Sequence, residues 1–390
     1  MLIEQYIFIT IFFSAFIFFI YIHIAYPFWV HMPVSHTYDI HHRLLMNDTG
    51  IRVLQQHPHK NKWNDQKQVK TKSFYNLTDD DIKQFLDQLN CNYIPSDSIL
   101  FTIEKKHFDA IFSGHFDTPY ISFFTHQTPL VKGCIASCPV HVLYRSVTEV
   151  PSNFICYLGT NREENSEITR KLIATHEYNC RNRVTDIKTS IIKKHMGKCS
   201  GVKPLLEFST YVFYVAPKKP KNSKNRPKPV QIYRENWSVI SEILELLPKR
   251  FDLSIYIDVG AMKARIDAGQ LWIYCLKSRG EILAAYFIED AMMLYENVND
   301  YGGKTLSLAA SINNMKKGNM EFAQGFADCL ELIQKQNRDY TMLLMDDIGH
   351  NKLLAKEMPL VPIIKTTGAY YMINGFVKEP VNSDRAFMMI

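Results

Sequence analysis

Residues 153–173 read NFICYLGTNREENSEITRKLI. The apolar run at 154–158 gives way to a polar turn at Gly159, Thr160 and Asn161, after which Ile168, Leu172 and Ile173 recur at helical spacing. The pattern is strand, turn, helix. A helix that starts directly after a strand aims its free backbone N–H groups and the positive end of its dipole at the strand's tip, a place that suits a phosphate. The free N–H groups of the strand can also hold a developing oxyanion. One turn can therefore bind a phosphorylated cofactor and assist acyl transfer. An ordinary strand-to-helix connection has the same local pattern, so the neighbouring residues must decide.

The chain has 390 residues, of which 46% are apolar, and a formal net charge of +6. That length accommodates two domains with real cores and excludes a disordered protein. The moderate positive charge favours contact with an anionic surface, and no nucleic-acid motif accompanies it. The cysteines, Cys91, Cys134, Cys138, Cys156, Cys180, Cys199, Cys275 and Cys329, form no Cys-x-x-Cys pair. They read as reduced thiols and not as a metal site.

Residues 6–30 are almost entirely Ile, Phe, Tyr, Ala and Val, enough to cross a bilayer. The stretch starts with Glu4 and ends in Tyr26, Pro27, Phe28 and Trp29, without the basic start and small-residue cleavage site of a signal peptide. It is expected to be a retained transmembrane anchor, residues 1–30. Aromatics at its exit, and Arg43, Lys60 and Lys62 beyond, predict a single-pass protein whose globular part faces the cytosol. The sequons at Asn47, Asn76 and Asn236 would matter only in the opposite orientation. Around residues 31–57 cluster His31, His36, His41, His42, His57 and His59, with no periodic apolar pattern and no carboxylate or cysteine cluster. A juxtamembrane linker is expected there in preference to a metal site.

Thr78 followed by Asp79, Asp80 and Asp81 caps a helix through Ile82, Phe85 and Leu89. A second helix runs through Lys105, Phe108, Ile111 and Phe112, and strand-like runs follow at 120–124, 131–138 and 154–158. After the central helix come a β-rich run at 205–215 and then a basic linker, 218–229, with Lys218, Lys219, Lys221, Lys224, Arg226 and Lys228. On a membrane-anchored protein such a segment can touch anionic lipid. The second half repeats this grammar, with a helix at 236–247, strands at 271–276, 282–287 and 306–312, a helix at 322–335, a strand at 341–345, a helix at 351–356 and a strand at 370–373. The expected fold is α+β, an internal duplication of units 58–217 and 230–390. Each unit suits the acyl-CoA N-acyltransferase (GNAT-type) layout, in which the sheet splays and the cofactor enters at the splay.

At this point a family can be named. Asn153, Phe154, Ile155 and Cys156 resemble the Asn-Phe-Leu-Cys strand of eukaryotic N-myristoyltransferases. Upstream, LFTIEKKHFDAIFS looks like that family's Phe-rich strand and helix, and PLVKGCIASCPVHV looks like its Lys-Leu-Val-Gly-Phe-Ile-Ser strand pair. Trp63, Gln66 and Val69 in KWNDQKQV are similar to its Trp-x-x-Gln-Pro-Val segment. Downstream, STYVFYVAPKKP resembles its Tyr-Thr-Ala-Gly strand and Leu-Pro-Lys-Pro turn, with Thr210 on the threonine, and IYRENW sits where the family has Tyr-Trp-His-Arg. LSLAASINN, FADCLELIQ, LLMDDIGHNKLL and GAYYMING then follow the family's C-terminal repeat in order, so the resemblance spans residues 58–390.

The resemblance implies an enzyme that moves a fatty, myristoyl-like acyl group from acyl-CoA, a co-substrate and not a prosthetic group, to the N-terminal glycine amine of a peptide or protein. It implies an oxyanion hole at the backbone N–H groups of Phe154 and Ile155. It places the cofactor against Trp63 and the helix start at Asn165, Ser166, Glu167, Ile168 and Thr169. Thr210 would position the amine, and the terminal carboxylate of Ile390, brought into the core, would be the base. The apolar tail Ala386, Phe387, Met388, Met389 and Ile390 suits burial, though an ordinary frayed end can be apolar too. Two departures bear on substrate choice. Where the family's diphosphate turn is basic, this one carries Glu163, Glu164 and Glu167, and Lys365 falls where the family has an acid near its peptide groove. A different acyl or aminoacyl donor, or an inactive scaffold that binds lipid or peptide, are the alternatives.

Overall fold

The computed structural model describes residues 2–39, 51–54, 59–94, 96, 98–125, 130–145, 148–160, 165–183, 186–215, 227–298, 301–315 and 318–390. His41, His42, His57, Arg162, Glu163, Glu164 and most of the basic linker, 218–226, lie outside them. Helix α1 (Leu2–Ala25) contains a stretch, Gln5–Ala25, long and apolar enough to cross a membrane and almost wholly unburied.

Among the described residues, 28–36 pack against the globular part instead of forming a linker. Phe28, Met32 and Val34 are buried against Ile168, Leu172, Ile173 and Tyr371. Val34 bridges Ile373, His36 bridges Val202, and β1 (Arg52–Val53) pairs with a strand near the C-terminus. Single-residue bridges carry no period, so the sequence could not announce them.

The first half continues with β2 (Val69–Ser73), α2 (Asp79–Asn92), β3 (Ile99–Phe101), α3 (Lys105–Phe112), β4 (Tyr120–Thr125), β5 (Val131–Tyr144), β6 (Thr148–Thr160), α4 (Asn165–Arg183), β7 (Thr189–Lys194) and β8 (Leu206–Tyr214). The second half begins with β9 (Val230–Gln231), α5 (Ser238–Leu244), α6 (Leu247–Arg250), β10 (Leu253–Tyr256), α7 (Val259–Asp267), β11 (Leu271–Ser278) and β12 (Glu281–Val298). It ends with β13 (Tyr301–Asn313), α8 (Asn319–Gln336), β14 (Tyr340–Asp346), α9 (Asn351–Glu357), β15 (Pro362–Ile373), β16 (Gly375–Phe376) and β17 (Ala386–Met389).

The Thr78 capping box forms as expected, with the hydroxyl accepting from the Asp81 N–H. The helix expected over 236–247 is instead two short ones, with Pro248 in the first turn of α6. β7, β10, α7 and β17 are too short or too weakly patterned to stand out in the sequence.

The main sheet runs β17-β10-β5-β6-β7-β15-β8-β14-β13-β12-β11-β9. Within it, β6–α4–β7 and β13–α8–β14 are equivalent units, each a strand, a helix and a parallel strand back. The strand that follows each unit is lent to the other. β8 pairs with β14, and β15 pairs with β7.

The parallel pairing of β6 with β7 covers only Ser152 to Ile155 against Thr189 to Ile192, after which β6 continues unpaired on that side. On its other side Cys156 is an extra residue, because Ser137 faces Ile155 and Ala136 faces Tyr157. The second unit does the same. Its parallel pairing ends at Leu308, and Ala309 is the extra residue between Leu308 and Ala310. The sheet thus splays beyond a bulge in both units.

α4 lies over the sheet through Ile168, Leu172 and Ile173 and through His176, whose ring nitrogens stand 2.8 and 2.9 Å from the hydroxyls of Ser122 and Ser137. The C-terminal tail is buried, not frayed. β17 joins β10 in parallel, with Phe387 between the rings of Phe251 and Phe287. Gly349, at φ 58°, lets the tail pass, since a Cβ there would strike the Ala386 carbonyl.

Two outcomes follow. Phe387→Ala removes a ring only 2% exposed and lowers unfolding stability by about 3–5 kcal/mol in urea titration. Burial holds His176 down at about 3 against a usual 6.5, so the folded state binds fewer protons than the unfolded one in that window. Stability therefore falls as pH drops from 6.5 toward 3, by about 2 kcal/mol at pH 5 from this group. His176→Asn flattens the slope measured by urea unfolding at pH 7 and pH 5.

Candidate functional site

The two splays open into one cavity of about 190 Å³. From the first unit it takes Phe154, Cys156 and Tyr157 of β6 and Lys193 of β7. From the second it takes Ser307, Leu308 and Ala309 of β13 and Asp346 of β14. Met388 and Ile390 of the tail close it. The bulge at Cys156 is held in place by its own neighbours. Tyr93 Oη donates to the Cys156 carbonyl at 3.4 Å, and the Cys156 thiol donates to the Ala136 carbonyl at 3.5 Å.

Lys193 was not legible in the sequence. It lies at the end of the short β-branched run TSII, on the strand that faces the unpaired edge of β6. Its Nζ is 2.6 Å from Asp346 Oδ2, and Thr210 Oγ1 donates to Asp346 Oδ1 at 2.6 Å. The ammonium also stands over the rings of Phe208 and Tyr370, at 5.1 and 5.6 Å. Burial works most strongly against its charge, but Asp346, Tyr370 and Tyr93 together hold Lys193 above its usual value. His195 beside it is pushed down to about 4, by burial first and by Lys193 second, and is neutral.

A second polar group comes from α7, the turn before β11, and β12. Arg265 Nη1 is 3.8 Å from Glu289 Oε2, and burial raises the Glu289 carboxyl while Arg265 and Lys193 pull it back. Arg265 Nε and Gln270 Oε1 are buried on this wall without a hydrogen-bond partner. These groups are suited to binding a polar substrate.

The sequence-predicted site residues fall into two places. Phe154 and Ile390 line the cavity, and Ile155 is the last paired residue at its edge. Thr210 does not line it. The strand that follows α4 and runs parallel to β6 is β7, whereas Thr210 sits on β8 beyond β15, and it reaches the cavity only through Asp346.

Trp63 and the first turn of α4, Asn165, Ser166, Glu167, Ile168 and Thr169, form the other place. The Trp63 Nε1 donates to the Pro27 carbonyl at 3.3 Å, and Arg170 covers its ring at 5.1 Å. Ile168 is buried in the core, so only its backbone can meet a ligand. The charge of Glu167 is countered by Lys171, whose Nζ is 3.0 Å from it and 3.4 Å from Asp65. One ammonium is thus shared between two carboxylates beside the helix start.

The chain matches Saccharomyces cerevisiae N-myristoyltransferase with bound myristoyl-CoA at a TM-score of 0.68, with 14% identity over 92% of this chain and 94% of that one. A second structure of that yeast protein with myristoyl-CoA matches at 0.67, with 13% identity over 91% and 89%. This is the N-myristoyltransferase fold. No protein-family model matches the sequence, and a search of curated proteins finds no match. At such identity the likeness is one of fold, and within the N-myristoyltransferase fold this chain builds its cavity wall around the Lys193–Asp346 pair.

Lys193→Met strands Asp346 in the interior and lowers stability by about 3–5 kcal/mol. The double variant Lys193→Met with Asp346→Leu recovers most of that loss in thermal unfolding.

Proposed function

We propose that the protein is an acyl-CoA-dependent acyltransferase that moves a fatty, myristoyl-like acyl group to the N-terminal glycine amine of a peptide or protein. The observation that carries the reading is the splay of β6 from β7 beside the Cys156 bulge, opening into a cavity that also receives Ile390. The yeast N-myristoyltransferase structures of the same fold hold myristoyl-CoA. In this reading the thioester carbonyl accepts from the backbone N–H groups of Phe154 and Ile155. The CoA diphosphate lies at the start of α4, Asn165 to Thr169, beside Trp63, with Arg170 and Lys171 supplying positive charge.

The acceptor nitrogen attacks the thioester carbon, the C–S bond breaks, and the thiolate of CoA leaves. The proton lost by the amine goes to the terminal carboxylate at Ile390, which lines the same cavity. Lys193 adds positive charge to the same wall, and Asp346, held by Thr210, fixes where that charge sits. Glu289, Arg265 and Gln270 face the acceptor. The units 58–217 and 230–390 act as acyl-CoA-binding and peptide-binding halves. α1 anchors the protein with the globular part in the cytosol, and residues 218–228 touch anionic lipid.

One observation favours a narrower reading. The cavity, at about 190 Å³, is smaller than common ligand pockets of about 300–1,000 Å³, and behind Tyr157 the interior is filled by the rings of Phe85, Phe108 and Phe112. A shorter acyl or aminoacyl donor, or a scaffold without turnover, suits that space.

Native mass spectrometry with myristoyl-CoA and acetyl-CoA separates these readings, and neither cofactor binding nor shifting the thermal midpoint would leave only the scaffold. Adding one alanine after Ile390 moves the carboxylate and lowers kcat for a glycine peptide at least about a hundredfold, with acyl-CoA binding unchanged. Full activity of that variant would overturn the terminal-carboxylate mechanism.

A further inference from the structure

A second cavity, of about 250 Å³, lies along the C-terminal half of α4. Its walls come from residues 30–33, from Leu54 and the segment 59–64, from α4, and from the end of β15. Glu177, eight residues and about 12 Å along α4 from Thr169, lines it together with Asn374.

Glu177 is 3% exposed and Asn374 1%. Neither carboxylate oxygen of Glu177 has a hydrogen-bond partner, and neither does the amide oxygen or nitrogen of Asn374. The Ser190 hydroxyl stands beside Glu177 but outside hydrogen-bond geometry, and Arg181, one turn on, lines the same cavity. Buried polar atoms are otherwise almost always paired, so four unpaired ones on one cavity mark a place built for something else.

The walls are preformed. Asn374 adopts φ 61°, its N–H donates to the Pro33 carbonyl at 2.7 Å, and its carbonyl accepts from the Leu54 N–H at 3.0 Å. Arg181 Nη2 donates to the Leu54 carbonyl at 3.0 Å. These bonds tie the segments around the cavity to β15 and α4 and hold the Asn374 side chain where it is.

The unpaired set is three acceptors and one donor. A primary ammonium has three N–H donors and no acceptor, which matches Glu177 Oε1, Glu177 Oε2 and Asn374 Oδ1. An oxygen on the neighbouring carbon would take the Asn374 Nδ2–H. The residues that border the cavity, 30–33, begin five residues past the end of the helix long enough to cross a membrane.

We propose that this cavity binds a small primary ammonium with a neighbouring oxygen, the chemistry of ethanolamine, either free or as a phospholipid headgroup at the membrane surface. The site does not depend on acyl transfer, and its occupancy is measured without turnover.

The test is calorimetric titration of the full chain in detergent with ethanolamine, and with choline as a cation lacking N–H donors. Ethanolamine binds saturably and choline at least about tenfold more weakly, while Glu177→Gln weakens ethanolamine by at least about tenfold. Asn374→Gly, which keeps the left-handed backbone, weakens it too and serves if Glu177→Gln does not fold. Nanodiscs identify the source. A higher thermal midpoint in phosphatidylethanolamine than in phosphatidylcholine, lost in Glu177→Gln, means the headgroup, and ethanolamine binding with no lipid difference means the free amine. The proposal is overturned if neither ethanolamine nor phosphatidylethanolamine has an effect, or if both variants bind ethanolamine as the wild type does. It is also overturned if crystals soaked in ethanolamine show water alone bridging Glu177 and Asn374.

Discussion

Each half of this chain lends to the other the strand that follows its strand–helix–strand unit, β8 from the first and β15 from the second. The rest of the architecture depends on that exchange. β8 pairs with β14 and β15, and β15 lies between β7 and β8. A strand edge left open would be an exposed ladder of backbone groups, so each half supplies what the other needs. The exchange sets β6 and β13 symmetrically about the β15–β8 pair. Because each carries a bulge where its parallel pairing stops, the two splays face one cavity instead of two.

Duplication and divergence meet in that cavity. Cys156 and Ala309 occupy equivalent bulges, yet the groups around them differ in charge. Near the first unit lies an ammonium, Lys193, and near the second the carboxyls of Glu289 and Asp346 with Arg265. The Lys193–Asp346 pair crosses between the units and is anchored by Thr210 on a lent strand, so the polar centre is itself a product of the exchange. The tail enters the same space beside β10, where Gly349 makes room for it.

Much of this was legible in residue patterns. The Thr78 capping box, the helix through Phe108 and Phe112, the strands at 120–124 and 131–138 and the long helix at 322–335 follow from local periodicity and caps, which act over a few residues. The site was legible only in part. Phe154 and Ile390 reach the cavity, but Thr210 does not, because its resemblance to a family strand passed over β7, a six-residue strand with no period to betray it. Lys193 offered no signal beyond one lysine among several.

By itself, the sequence determined the α+β class, the repeated order of elements, the apolar N-terminal helix and the position of the strand–turn–helix at its centre. These are short-range properties, written in spacing, capping and hydrophobic runs. Only the tertiary structure decided which strand lies beside which, that residues 28–34 join the core, that Lys171 reaches Asp65, and that Lys193, Asp346, Glu289 and Ile390 share one space. Those are contacts between residues far apart in the chain, and no local pattern encodes a partner that the sheet order alone brings near.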